Sequence, residues 1–255
     1  MPKKAVAIIP ARFASTRFPG KPLALIKGQT LLERTYRQVL LCPDISRVIV
    51  ATDDERIKAC AEGFGAEVVM TSASCLSGTD RLAEVVRRDN TLLKAIAIVN
   101  VQGDEPCVDP QTISKSICAL LSDKDISIGT VVAPIKNEEE LLNPNIVKCV
   151  KTITGKALYF SRLPVPGTKK GANITSGCIY FRHIGMYAFR PDFLLTFATL
   201  ASTPLQQTED LEMLRAMEHG YTIGVAEVEH HSPDVNTPQD IEEVTRWIES
   251  QSIYS

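Results

Sequence analysis

The chain has 255 residues, and its 28 Lys and Arg against 30 Asp and Glu leave a formal net charge of -2. It is long enough to bury a sizeable core in one large or two modest domains, and it lacks the basic excess of a nucleic-acid binder. No apolar run reaches bilayer-spanning length, and the short run after Met1-Pro2-Lys3-Lys4 passes into polar chemistry without a signal-peptide cleavage site, which reads as a soluble cytoplasmic protein with no membrane insertion.

In chain order, the first predicted strand covers residues 5–9 and breaks at Pro10 into Ala11-Arg12-Phe13-Ala14-Ser15-Thr16-Arg17-Phe18-Pro19-Gly20-Lys21-Pro22. A buried strand that empties into three cations, a hydroxyl and a glycine points to a polyanion site rather than to core. Arg12 and Arg17 offer planar donor forks, Lys21 a mobile point charge, and Ser15 with the backbone near Gly20 further donors.

Strand patterns recur at 47–51, 67–70, 96–101, 127–133 and 147–152, separated by helical patterns at 31–41, 54–63, 79–90 and 110–122. This alternation predicts an α/β fold, a three-layer, mainly parallel sheet with helices on both faces, whose ligands bind beyond the carboxyl ends of the strands. From about residue 155 the pattern changes. Short strands are expected near 179–181 and 185–189, and residues of about 155–190 read as a flap or dimerisation lobe inserted in a single domain spanning 1–255. Helices near 192–200, 208–218 and 238–250 close the chain.

Three further segments could carry chemistry. Asn100-Val-Gln102-Gly103-Asp104-Glu105-Pro106 puts carboxylates at a strand exit on the rim of the cationic loop, where one or two acids and nucleotide phosphates suffice for magnesium; ordinary turn chemistry explains Gly-Asp but not the whole group. Ser77-Gly-Thr79-Asp80-Arg81 opens an amphipathic helix with Thr79 as the expected N-cap, and Arg81 in its first turn opposes the helix dipole, which a ligand contact would offset. Arg162, Arg182 and His183 would suit an anionic second substrate, and alternation places His183 and Tyr187 on one strand face. Asp234-Val-Asn236-Thr-Pro238-Gln-Asp240 reads as a helix entry. Seven cysteines are dispersed without Cys-x-x-Cys spacing, as suits reduced thiols, and adjacent His230 and His231 make a poor metal pair.

Taken together, Ile8-Ile-Pro-Ala-Arg12-x-x-Ser15-x-Arg17-x-Pro19-Gly-Lys21-Pro22, Ser77-Gly-Thr-Asp-Arg81, Asn100-Val-Gln-Gly-Asp104-Glu-Pro106, Ala157-Leu-Tyr-Phe-Ser-Arg162 and His183-x-Gly-x-Tyr187 resemble the CMP-KDO synthetases, the 3-deoxy-manno-octulosonate cytidylyltransferases, over nearly the whole chain. The resemblance implies a nucleotide-diphospho-sugar transferase fold, magnesium, a homodimer, and the reaction of CTP with KDO to CMP-KDO and pyrophosphate for lipopolysaccharide assembly. It implies that Arg12, Ser15 and Lys21 grip the CTP phosphates with Arg17 nearby. Ser77, Arg81 and Gln102 would place nucleotide and sugar, and Arg162, His183, Tyr187 and Glu209 or Glu212 would face KDO. Asp104 matches the first metal-binding acid. The second, an Asp in Val-Asp-Thr-Pro, is Asn236 here, with Asp234 as the alternative ligand.

The nearest rival reading is a CMP-sialate synthetase, whose first loop carries Ser-Lys and ends in Lys-Asn where this chain has Ser15-Thr16 and Lys21-Pro22. A rival of another class is a non-catalytic nucleotide-binding regulatory module, which would not need to keep both Asp104 and Lys21.

Overall fold

The computed structural model describes residues 4–14, 18–167, 169, 174 and 179–252. They form two compact units, Met1–Ser114 with Ser232–Ser255, and Lys115–His231.

The first unit runs β1 (Ala5–Ala11), the small hairpin β2 (Leu25–Ile26) and β3 (Gln29–Thr30), α1 (Leu31–Leu40), β4 (Ile45–Thr52), α2 (Glu55–Gly63), β5 (Glu67–Met70), α3 (Gly78–Arg88), β6 (Ile98–Asn100) and the start of α4 (Pro110–Leu121). The three pairings among its four longer strands are all parallel. β1 lies between β4 and β6, and β5 lies beyond β4. The apolar run of β1 is buried on both faces, with Ala5, Ala7, Ile8 and Ile9 all at 0% exposure, as expected of a strand inside a parallel sheet. Helix α1 starts where Thr30 accepts a bond from the Glu33 amide, and it turns Leu31, Leu32, Thr35 and Val39 inward.

The second unit contains β7 (Ile126–Pro134), α5 (Glu138–Leu142), β8 (Lys148–Lys151), β9 (Ala157–Ser161), β10 (Phe181–Phe189), α6 (Pro191–Phe197), α7 (Pro204–Glu209), α8 (Glu212–Glu218) and β11 (Thr222–Glu227). β7 pairs in parallel with β11 and antiparallel with β10, while β8 pairs antiparallel with both β10 and β9. The stretch of about 155–190 thus contributes β9 and β10 to this unit's pairings. The final helix α9 (Asp240–Ser252) belongs to the first unit.

The strand and helix alternation read from the sequence is therefore the architecture found, with local corrections. Instead of two short strands at 179–181 and 185–189 there is one, β10, whose register slips between Ile184 and Tyr187. The helix expected over 208–218 is two helices, because Asp210 takes a left-handed backbone at φ 52 between α7 and α8. The short strands β9 and β11 were not expected at all.

Gly129 on β7 marks where strand and helix touch most closely in the second unit. A Cβ there would lie 2.5 Å from the Leu120 amide nitrogen of α4 and nearer still to the Ser116 carbonyl oxygen. Gly129→Ala should cost about 3 kcal/mol or fail to fold, as read by urea unfolding; stability equal to the wild type would show that β7 and α4 can move apart freely.

Candidate functional site

The loop after β1 is drawn back on itself at Gly20. This residue sits at φ 72, its amide donates to the Phe13 carbonyl at 3.0 Å, and a Cβ on it would lie 3.0 Å from the Phe13 ring. The outer face of that ring carries the Arg56 guanidinium, 3.4 Å from the centroid. Only a glycine permits both the left-handed turn and the ring contact, and the turn delivers Lys21 as the first residue of a 3-10 helix, Lys21–Leu23.

At the end of the neighbouring strand β6, Gly103 lies so close to β1 that a Cβ would be 3.0 Å from the Pro10 carbonyl oxygen. The two strand exits therefore emerge together, and the Lys21 ammonium meets Asp104 Oδ2 at 2.6 Å. The same ammonium donates to the Val235 carbonyl at 2.9 Å, and the Val235 amide donates to the Asp104 carbonyl at 3.0 Å. Three distant segments are tied at one point. The pair is partly open, with side-chain exposures of 14% for Lys21 and 28% for Asp104.

Acidic groups accumulate around this pair. Burial pushes the Glu105 carboxyl up to about 8, and the charges of Asp104 and Asp234 push in the same direction. Asn236 donates from Nδ2 to Asp234 Oδ2 at 2.6 Å, and Asp240 accepts from the amides of Asn236 and Thr237 at 2.8 and 2.7 Å. Among the described residues no group of three or more His, Cys, Asp or Glu stands in a metal-holding cluster. The donors at this rim, Asp104 with Asp234 and Asn236 on the tied segment, are all oxygens, a set suited to a hard dication that fills its remaining positions with water and phosphate.

Helix α3 supplies another wall. Its N-cap is Ser77 rather than Thr79: the Ser77 hydroxyl accepts from the Asp80 amide at 3.0 Å, and the Asp80 carboxylate accepts from the Ser77 amide at 3.1 Å. Thr79 is buried one residue inside the first turn. Arg81, expected to need a ligand to offset its place near the helix N-terminus, has internal partners instead. Its guanidinium lies 3.2 Å from Asp53 Oδ2, donates to Thr71 Oγ1, and is only 3% exposed as a residue.

Asp53 and Thr71 carried no signal of their own in the sequence, because each lies just past a strand in an ordinary polar turn. Asn100 also escaped notice as a site residue. It is fully buried, accepts from Gln102 Nε2 at 3.3 Å, and leaves its own Nδ2 without a partner among the described residues. Its place inside the Asn100-Val-Gln102 motif was the available clue.

Arg12, Lys21, Ser77, Arg81, Gln102 and Asp104 share one cavity of about 220 Å³ in the first unit. The exposed Arg12 and the helix N-terminus offer donors to an anion, as does Lys21. Ser15 and Arg17, expected beside them, lie outside the described residues.

The second unit holds the residues expected to face a sugar, in two groups. In one, Glu209 accepts from Ser161 Oγ at 2.9 Å, from the Arg162 amide at 2.9 Å and from the Tyr159 hydroxyl at 3.4 Å. Arg162 returns its guanidinium to backbone oxygens, of Glu209 at 2.6 Å and of Pro144 and Asp210 at 3.2 Å each. In the other, the rings of His183 and Tyr187 lie 5.4 Å apart, with Phe160 at 4.9 Å from His183. Four residues of regular strand would separate them by about 13 Å. The slipped register of β10 closes that gap, and Thr130 fills the bulge by donating to the Met186 carbonyl at 2.8 Å while contacting His183 Nε2 at 2.9 Å. Glu212 stands in the first turn of α8.

Comparison with known proteins gives a consistent result. A sequence profile described as Cytidylyltransferase matches residues 6–223. A 3-deoxy-manno-octulosonate cytidylyltransferase of Protochlamydia amoebophila is 50% identical over 254 residues, spanning 100% of this chain and 98% of that protein. One of the same name from Solibacter usitatus is 46% identical over 246 residues, spanning 96% and 95%. Among solved structures, a CMP:2-keto-3-deoxy-manno-octonic acid synthetase complexed with CTP superimposes with a TM-score of 0.89 at 35% identity, over 97% of this chain and 99% of that one. A cytidylyltransferase from Leptospira borgpetersenii, at 16% identity and a TM-score of 0.62, shares the fold.

Burial pushes the His183 imidazole from the ordinary 6.5 down to about 3, and His231 is lowered likewise to about 3 by burial with help from the charges of Arg182 and His230. The unfolded chain thus binds more protons between these values, so stability is full above pH 6.5 and lost as pH falls toward 3. His183→Asn should make that decline shallower, by about 1.4 kcal/mol per pH unit, in urea unfolding from about pH 7 to about pH 4. An unchanged slope would mean that the native ring protonates normally.

Proposed function

Because the chain belongs to the cytidylyltransferase family, among its 3-deoxy-manno-octulosonate members, we propose that it joins CTP and KDO to give CMP-KDO and pyrophosphate. The anomeric hydroxyl oxygen of KDO forms a bond to the α-phosphorus of CTP as the bond from that phosphorus to the pyrophosphate oxygen breaks, and the hydroxyl proton passes to water. A transfer of this kind needs positioning and charge neutralisation more than a protein nucleophile. The observation that carries the reading is the 2.6 Å approach of Lys21 to Asp104 on the wall of a cavity that also holds Arg12 and Ser77.

An ammonium has three donors. Lys21 gives one to Asp104 and one to Val235, which leaves the third for a phosphate oxygen. With Arg12 it would draw charge toward the departing pyrophosphate. Gln102 and the α3 N-terminus would orient the nucleotide, and Arg81, through Asp53 and Thr71, would keep that wall rigid. The oxygens of Asp104, with Asp234 and Asn236, would hold magnesium, which when bound neutralises triphosphate charge and makes the attacking hydroxyl more acidic.

Ser15 and Arg17 complete the phosphate grip in this reading. In the second unit, His183, Tyr187 and Glu212 would recognise the acid sugar, and the locked Arg162 and Glu209 would shape its surroundings. Action in the cytoplasm as a homodimer, supplying lipopolysaccharide assembly, completes the proposal. The six described cysteines, all unpaired, suit that compartment, and no helix among the described residues is long and apolar enough to cross a membrane.

Pyrophosphate release from CTP should be seen with KDO, and not with sialic acid or without a sugar; release with sialic acid would favour the CMP-sialate reading, and none with any sugar a binding module. Asp104→Asn and Lys21→Ala should each lower turnover by about 100-fold or more while leaving the circular dichroism spectrum unchanged. A fully active Asp104→Asn enzyme would remove the metal anchor from this scheme.

A further inference from the structure

Residues 71–76 form the lip of the cavity beside Ser77, and they end on an apolar side chain turned to solvent. Leu76 lines the cavity and is 89% exposed. A single exposed leucine is unremarkable on a free surface. This one stands on a segment held at both ends, so its position is fixed rather than incidental.

One carboxylate does most of that holding. Both oxygens of Glu84, on α3, accept from the Ser72 amide, at 3.1 and 3.0 Å, and one also accepts from Cys75 Sγ at 3.1 Å. Arg88 pairs with the same carboxylate and donates to the Met70 carbonyl. Ser72 and Ser74 share a hydroxyl bond of 2.7 Å, and Thr71 is tied by its amide to the Thr52 carbonyl at 2.8 Å and by its hydroxyl to Arg81. The lip is thus clamped to β4 at its start and to α3 at its end, immediately before Leu76.

We propose that Leu76 is the apolar cover for the nucleoside end of the bound nucleotide, and that Glu84 is the positioning residue that holds it there. The inference rests on the nucleotide reading of the cavity and adds to it a determinant of affinity. The cavity offers cations at Arg12 and Lys21, which serve a triphosphate. A nucleotide also has a planar base and a ribose whose carbon faces lose water on binding, and that end needs an apolar partner. Leu76 is the large apolar side chain that the lining exposes to meet it. Glu84 touches neither substrate in this arrangement and acts only through the lip.

The test is steady-state kinetics together with calorimetric titration of CTP alone. Leu76→Ser should raise the KM for CTP about tenfold, the worth of one lost apolar contact, with kcat and the KM for KDO within about twofold of the wild type. Leu76→Met should recover most of the lost affinity. Glu84→Ala should reproduce the rise in KM for CTP, and the double variant Leu76→Ser with Glu84→Ala should be no worse than Leu76→Ser alone. If the wild type binds CTP and Leu76→Ser binds it equally well, the cover is wrong while the nucleotide reading stands. Additive losses in the double variant would overturn the positioning role of Glu84. A wild type that binds no CTP would sink the nucleotide reading itself.

Discussion

The meeting of Lys21 with Asp104 is the interaction that ties together the strand exits of the first unit. The two residues are 83 apart in sequence, and they meet because β1 and β6 are parallel neighbours, in register from Val6 with Ile98 to Ile8 with Asn100. Parallel neighbours send their carboxyl ends out on one edge, so whatever follows each strand must share that edge. The register leaves little freedom: Gly103 is there because Pro10 is too close for a side chain. Val235, 214 residues beyond Lys21, then closes the knot through its amide and carbonyl.

Around that knot the charges are balanced in a way that favours an incoming polyanion with its counter-cation. Burial, and after it the charges of Asp104 and Asp234, raises Glu105 to about 8, so the rim already concentrates negative charge. The cations are divided by role. Arg81 is buried and spent on Asp53 and Thr71, whereas Arg12 is exposed on the cavity wall and Lys21 uses two of its three donors among the described residues. At the start of α3, Ser77 and the Asp80 carboxylate cap each other and keep the helix's amide end in place.

The second unit follows a different rule. Its functional candidates are bound to one another before any ligand arrives, with Arg162 and Glu209 exchanging bonds and His183 held neutral between Phe160, Tyr187 and Thr130. In the sequence Arg162, Arg182 and His183 looked like contacts for an anionic second substrate. Backbone carbonyls cannot be seen in a sequence, and they are what absorbed the Arg162 guanidinium. The bulge in β10 was equally invisible, since alternation assigns a face but not a break in register. Asp210 likewise carries no mark that it will turn left-handed and split one helix into two.

The order of chemistry along the chain was legible from residues alone: an apolar strand that ends in Arg12 and Lys21, a helix entered through Ser77 to Arg81, and a second strand that ends at Gln102 and Asp104. Strand and helix periodicity with parallel connectivity is a local property, and it already commits these three groups to one edge. Tertiary structure decided the partnerships, namely Asp104 for Lys21, Asp53 for Arg81, Glu209 for Arg162 and Glu84 for the lip that carries Leu76. Each of these depends on a few ångströms between segments distant in sequence, and such distances arise only when the strands have taken their register and the core has closed around them.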